Sequence, residues 1–393
     1  APSSAAKTSA QEHVKAGKEY EEKMRLSDAI VRFNRAVTLD PRNPDILHKR
    51  ARINGRLYNW PAAATELALV VSLKESDVEL LLECAIAHAK SHKLSAAKDY
   101  FDRAFAIGDP KNVTDPSVLQ ECAKIYVALS RWDEAIDHYG RALELEAAKS
   151  NWSLRVECAN VYAEPGLAKL TKREDRRTKS DKEPDLIRAA VLLQEASELN
   201  SILGKSVFFE LRLATVRLAG GDIEGYRGTC AKMLKDFGTT NDATTANNVA
   251  WACALGPKAL ANPERAVELA ELAVKRSGGS HANYLNTLGA ALCRAERFAE
   301  AAEALNKSRK AFGKFGAIDE GSLWDKYFTA LTIHGIGHPD IARVWLDQAT
   351  ASPNPWSRFP GDTFQEPPGW QHPLQQYILR REVESLLRSP APK

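Results

Sequence analysis

A recurrence at 34 residues constrains this chain more than any other feature. Ala29, Ala63 and Ala97 stand 34 apart, as do Phe33, Leu67 and Phe101, and again Ala36, Val70 and Ala104. Within each repeat the first of these residues is small, the one four positions later is large and apolar, and the one three later is smaller. Positions i, i+4 and i+7 share a helix face, so in each repeat they mark one stripe against which a neighbouring helix packs closely. A second amphipathic segment precedes each stripe, as EHVKAGKEYEEKM with Ala16, Gly17 and Tyr20 precedes the first. The unit is a helical hairpin, and hairpins in series bury their apolar faces only by stacking.

In the first unit Gly17, Tyr20, Ala29, Phe33, Ala36 and Pro41 stand at the offsets of the tetratricopeptide repeat consensus, which this unit therefore resembles. Units near 44–77 and 78–111 keep the frame without the Gly and Pro. A fourth, near 116–149, follows the insertion GDPKNVTDP and carries Ala123, Tyr126, Trp132, Ala135, Tyr139 and Ala142. A fifth begins with Cys158, Ala159 and Tyr162, but its second helix waits until Ala189, Leu193 and Ala196. The charged, mixed-sign segment between, 164–185, reads as a mobile loop. Degenerate repeats continue to 240. Three closer ones follow over 241–350, carried by Ala266, Ala270 and Ala273, then Leu288, Gly289, Phe298, Ala301 and Leu305, then Ala330, Ala342, Leu346 and Ala349.

The resemblance implies an all-α, right-handed superhelical solenoid of about nine tetratricopeptide-like hairpins. Residues 1–9 are expected to form a disordered tail, 10–149 the first four repeats, and 150–240 the degenerate ones. The end, 351–393, is rich in Pro and Trp and finishes in a helix with Leu379, Val383, Leu386 and Leu387 on one face. A terminal repeat needs a cap over its outer apolar face, so this helix is expected to be that cap, with Trp356 and Trp370 pinning the linker.

The order NNVAWACAL, YLNTLGAAL, GHPDIARVWLDQA, LRREVESLL also resembles the C-terminal helical segment of large bacterial proteins that place such repeats after a Ser/Thr kinase domain or a WD40 propeller. That likeness implies an accessory or regulatory region of a larger signalling enzyme and would explain the missing initiator Met. It carries no catalytic residue across, because no kinase glycine loop, HRD or DFG element occurs.

Composition narrows the function classes. The formal net charge is +3 over 393 residues, with 27% charged residues interspersed in sign, so neither nucleic acid nor an anionic membrane is called for. No apolar run approaches the roughly 20 residues of a spanning helix, and the N-terminus has no apolar export core. Cys84, Cys122 and Cys158 sit in ECA triplets 38 and 36 residues apart, which predicts one buried slot in successive repeats rather than a metal or disulfide cluster. A cytoplasmic setting follows. His334 and His338 flank a Gly-rich turn, and His88 and His92 lack a third ligand and read as polar-face residues, so no metal site is expected. Without nucleophile, base and phosphate cradle together, neither catalysis nor a cofactor is expected.

Binding of a protein or peptide remains. The resemblance implies that the first helix of each repeat lines an inner wall and that its second, fifth, ninth and twelfth positions face a groove. In the second repeat these are Asp45, His48, Arg52 and Gly55, and Lys18 joins them from the first to give a basic patch. Lys49 stands where the family's dicarboxylate clamp has Asn, so that clamp is not reproduced. In the seventh and eighth repeats the inner positions are Asn247, Asn248, Trp251, Asn283 and Asn286. An Asn ladder can bond the backbone of an extended peptide beside a Trp seat; alternatively, it braces neighbouring helices.

Overall fold

Each predicted stripe is the buried face of a helix. The computed structural model describes residues 2–73, 77–108, 113, 115–145, 148–172, 183–313, 322–351 and 369–388. Among them the ordered elements are helical, nineteen of them α-helices, and eighteen pair into nine tetratricopeptide-like hairpins. The chain divides into two compact units, 1–149 and 150–393.

Unit 1 holds four hairpins: α1 (Ser4–Glu22) with α2 (Leu26–Leu39), α3 (Pro44–Arg56) with α4 (Trp60–Leu73), α5 (Val78–Lys90) with α6 (Leu94–Ile107), and α7 (Pro116–Ala128) with α8 (Trp132–Glu144). The periodic columns are its core, with Ala29, Phe33, Ala36, Ala63, Val70, Ala97, Phe101 and Ala104 all buried. Asn43, Asp77 and Asp115 cap α3, α5 and α7 by accepting from the first-turn amides, and Pro44 and Pro116 occupy positions where no backbone donor is needed.

Hairpin turns repeat one backbone device. Met24, Tyr58, His92 and Ser130 have φ of 56°, 60°, 60° and 56°, in the left-handed region. The next residue's amide then reaches back five positions, as from Arg25 to Tyr20, Asn59 to Asn54, Lys93 to His88 and Arg131 to Tyr126, closing a Schellman turn.

Unit 2 holds five hairpins: α9 (Trp152–Lys172) with α10 (Pro184–Leu199), α11 (Val207–Ala219) with α12 (Ile223–Phe237), α13 (Ala243–Ala254) with α14 (Glu264–Arg276), α15 (Ala282–Arg294) with α16 (Phe298–Gly313), and α17 (Leu323–Gly335) with α18 (Pro339–Thr350). A last helix, α19 (Gln371–Arg388), has no hairpin partner.

Three expectations need correction. Residues 4–9 are helical where a disordered tail over 1–9 is expected, because α1 starts at Ser4 with Ser3 as its N-cap. Their Ala content favours helix, and burial of Ala10, Val14 and Gly17 extends the favourable packing toward that end. The charged loop does not span 164–185 either, since α9 continues to Lys172, and Glu183, N-cap of α10, is buried. Of that segment, 173–182 lie outside the described residues, as do Trp356, most of the 108–116 insertion, and 314–321. His88, finally, is not on a polar face. It is buried and stacked on Tyr100 with ring centroids 5.2 Å apart.

The cysteine slot is as the spacing predicts. Cys84, Cys122 and Cys158 are buried, and desolvation pushes each thiol up to about 12, leaving them protonated and inert at neutral pH.

Candidate protein-binding site

The first helices of unit 1 are linked across repeats by polar side-chain contacts. Arg56 Nη1 of α3 reaches Glu21 of α1 at 2.8 Å, His48 Nε2 of α3 meets Glu83 Oε2 of α5 at 2.5 Å, and Lys90 of α5 meets Glu121 of α7 at 2.8 Å. Arg52 Nε stands 3.7 Å from Glu83 Oε1 with its side chain 64% exposed. Lys18, one turn before Glu22 on α1, is exposed. Glu83 therefore partly neutralises the basic patch, and its acidic side chain one repeat further on is the sequence signal for this. Gly55 is buried, and a Cβ there would stand 3.1 Å from the Trp60 ring, so its role is close packing of α3 on α4.

In unit 2 the corresponding wall is covered by α19. The helix starts against α9, where Trp370, buried, donates from Nε1 to Asn160 Oδ1 at 3.2 Å. It runs along α11 and α17 and ends beside α18, where Arg343 donates to the Leu387 carbonyl at 3.1 Å. Gln371, Leu374, Gln375, Ile378, Leu379 and Val383 form its buried face. Gln375 lies between two first helices: its Oε1 accepts from Trp251 Nε1 and its Nε2 donates to Thr215 Oγ1, both at 3.3 Å.

Arg294 is the fixed point of this wall. Its Nε donates to the Ala254 carbonyl at 2.7 Å and its Nη2 to the Leu255 carbonyl at 3.1 Å, at the C-terminal end of α13, where the helix dipole favours a cation. The guanidinium then forks onto Glu382 of α19 at 2.5 and 2.7 Å and lies over the Phe328 ring.

Comparison with known proteins gives fold neighbours only. No protein-family model matches the chain, and no curated protein matches it. Solved structures do. One described as MamA protein is 17% identical over 49% of this chain and 92% of its own, with a TM-score of 0.38. YrrB, described as a TPR protein with an unusual peptide-binding site, is 13% identical over 48% of this chain and 85% of its own, at 0.36. The TPR domain of P58(IPK) is 16% identical over 96% of this chain and 98% of its own, at 0.26. Support for the likeness to kinase-linked or WD40-linked helical segments does not emerge from them.

The predicted Asn ladder is not an open one. Asn286 is buried and its Nδ2 donates to Asp325 Oδ1 of α17 at 2.8 Å, a brace between first helices. Trp251 is buried against Trp324, Phe328 and Gln375 rather than offering an empty seat. Asn248 turns back to the Thr244 carbonyl of its own helix at 2.8 Å. Asn247, half-buried, has its Oδ1 buried without a partner, and Asn283 is half-buried. The inner positions are placed where the repeat frame puts them, but the chain's own last helix takes the space. α19, the final helix after the nine hairpins, packs on the last hairpin and also along the first helices, where Gln375 bonds Thr215 and Trp251 and Glu382 bonds Arg294.

His334 and His338 lie either side of the turn between α17 and α18. Among the described residues no helix is long and apolar enough to cross a membrane.

Proposed function

We propose that the chain is a protein-interaction scaffold whose first-helix walls hold segments of other proteins, with the wall of unit 1 as its accessible surface. One observation carries this reading: the same wall in unit 2 already holds a helix, α19, by an apolar stripe and matched polar contacts. A wall built from first helices of stacked hairpins is therefore a surface that this chain uses for binding chain segments, and nothing in that role requires catalysis. The unit 1 wall offers Lys18 and Arg52 to solvent, beside the half-buried His48, which suits a peptide carrying carboxylates.

Charge reversal tests the reading. A Lys18→Glu, Arg52→Glu chain should keep the wild-type melting temperature, since both side chains are exposed, while losing proteins that the wild-type chain retains from a lysate of its source. Retention of the same proteins by both chains would place their binding elsewhere.

A further inference from the structure

We infer that the wall of unit 2 is a receptor for an amphipathic helix bearing a carboxylate, that α19 is its intramolecular occupant, and that a partner helix of the same chemistry replaces α19.

Arg294 is the first ground. It is anchored by the Ala254 and Leu255 carbonyls, both belonging to the wall, so its position does not depend on α19. With α19 absent the cation remains aimed at the place where Glu382 now sits, between Phe328 and the end of α13. Such a site selects a ligand carboxylate, because a buried guanidinium half-satisfied by carbonyls still needs an anion.

The second ground is geometry. Leu374, Ile378, Leu379 and Val383 of α19 are spaced at 0, 4, 5 and 9, and Glu382 falls eight residues beyond Leu374 on the same side. A ligand is therefore specified as a helix of about four turns with that apolar stripe and an acid near its end; Gln375 adds an amide that both donates and accepts, to Thr215 and from Trp251.

The third ground is imperfect fit. Gln371 Oε1 of α19 is buried without a partner. That desolvated oxygen is a cost of the α19 complex alone, and a partner helix with an apolar residue at this position avoids it. Twenty residues separate α18 from α19, so tethering gives α19 an effective concentration on the order of 1 mM that an external helix must outcompete.

The experiment uses the full chain and a fluorescent peptide of residues 369–388. Leu379→Asp should unseat α19, because it places a carboxylate at a fully buried position of the stripe. This variant is expected to lose no more helix by circular dichroism than α19 contains. It should bind the peptide at least tenfold more tightly than the wild-type chain does, and a peptide carrying Glu382→Ala at least tenfold more weakly than the unmodified one. Absence of peptide binding to the folded variant, or binding indifferent to Glu382, overturns the inference. So does dimerisation of the wild-type chain by exchange of α19, which would make a second copy the occupant. Hydrogen exchange on the wild-type chain decides the matter if Leu379→Asp unfolds all of unit 2: α19 amides exchanging at least tenfold faster than those of α13 and α15 uphold it, and equal rates mean that α19 is a fixed part of the core.

Discussion

Arg294 and Glu382 are 88 residues apart in the chain and share two hydrogen bonds, of 2.5 and 2.7 Å, with side chains only 12% and 16% exposed. Removing either partner leaves the other charge in a poorly hydrated place, which costs about 3–5 kcal/mol. Glu382→Ala should therefore lower the stability of unit 2 by about that amount in urea titration. Reversing both charges should not restore it, because a glutamate at 294 would face the Ala254 and Leu255 carbonyls that now accept from Arg294. Full recovery in the doubly reversed chain would mean that those two carbonyl bonds contribute little.

Two glycines at one repeat position should answer differently to the same change. A Cβ on Gly289 would lie 2.5 Å from Leu305 Cγ, a branch point near the backbone of α16, so α15 and α16 must separate. A Cβ on Gly17 would lie 3.0 Å from the Phe33 ring edge, which can tilt by a few tenths of an ångström. Overpacking costs about 1–3 kcal/mol, whereas helical propensity favours Ala by about 1 kcal/mol. Gly289→Ala should thus destabilise by about 1–2 kcal/mol and Gly17→Ala stay near neutral; equal effects would contradict the difference in contact.

The left-handed turns make a stabilising prediction. Ser130 and Glu296, with φ of 56° and 58°, are exposed, and a side chain there gains nothing while a left-handed non-glycine residue costs about 1–2 kcal/mol. Ser130→Gly and Glu296→Gly should each raise stability, by less than that figure because glycine also frees the unfolded chain. A lower melting temperature for both would show that the entropy of the unfolded state outweighs the strain.

Unit 1 should weaken in mild acid. His88 and His138 are buried, and His138 is stacked between Phe105 and Tyr126 with centroids 5.5 and 5.3 Å away. Desolvation lowers both below the ordinary 6.5, helped by Lys93 for His88 and Arg141 for His138, against smaller upward pulls from Asp137 and Glu134 on His138. The unfolded chain binds these protons first, so the stability that the neutral rings contribute is present above pH 6.5 and declines as pH falls below it toward the depressed folded values. The melting temperature should drop between pH 7.5 and 5.5, and His138→Phe should shrink the drop. An unchanged slope in that variant would assign the acid sensitivity to other groups.

The repeats were legible in the sequence because independent signals agree at their boundaries. The 34-residue period links 44 and 78, a capping Asn or Asp precedes 44, 78 and 116, and a Pro opens the helix at 44 and 116. The position of α19 was not legible, since an apolar stripe reads alike whether it covers the end of a stack or lies along its inner wall. Long-range pairs such as Trp370 with Asn160, 210 residues apart, leave no periodic trace. The Asn residues at inner positions were identified, but a polar side chain at a given repeat position says nothing about whether another helix reaches it.

Asn286 separates the brace from the ladder. Its amide donates at 2.8 Å to Asp325, a fully buried carboxyl that also accepts from the Ser322 amide and hydroxyl at 2.9 and 2.8 Å. Burial raises the Asp325 pKa above the ordinary 3.8, and the bonds from Asn286 and Ser322 pull it back down. For a carboxyl raised on folding, the penalty is absent below the unfolded pKa and grows as pH rises through the folded value. Asn286→Ala removes one of the donors that hold the ionised form, so it should cost about 1.5–3 kcal/mol at neutral pH and less in acid. Asn283→Ala, at a half-buried position, should cost little at either pH. Thermal melts of both variants at pH 7 and 4.5 test this, and an Asn286→Ala chain that melts with the wild type at both pH values would remove the brace and return Asn286 to the inner wall as a residue free to meet a partner.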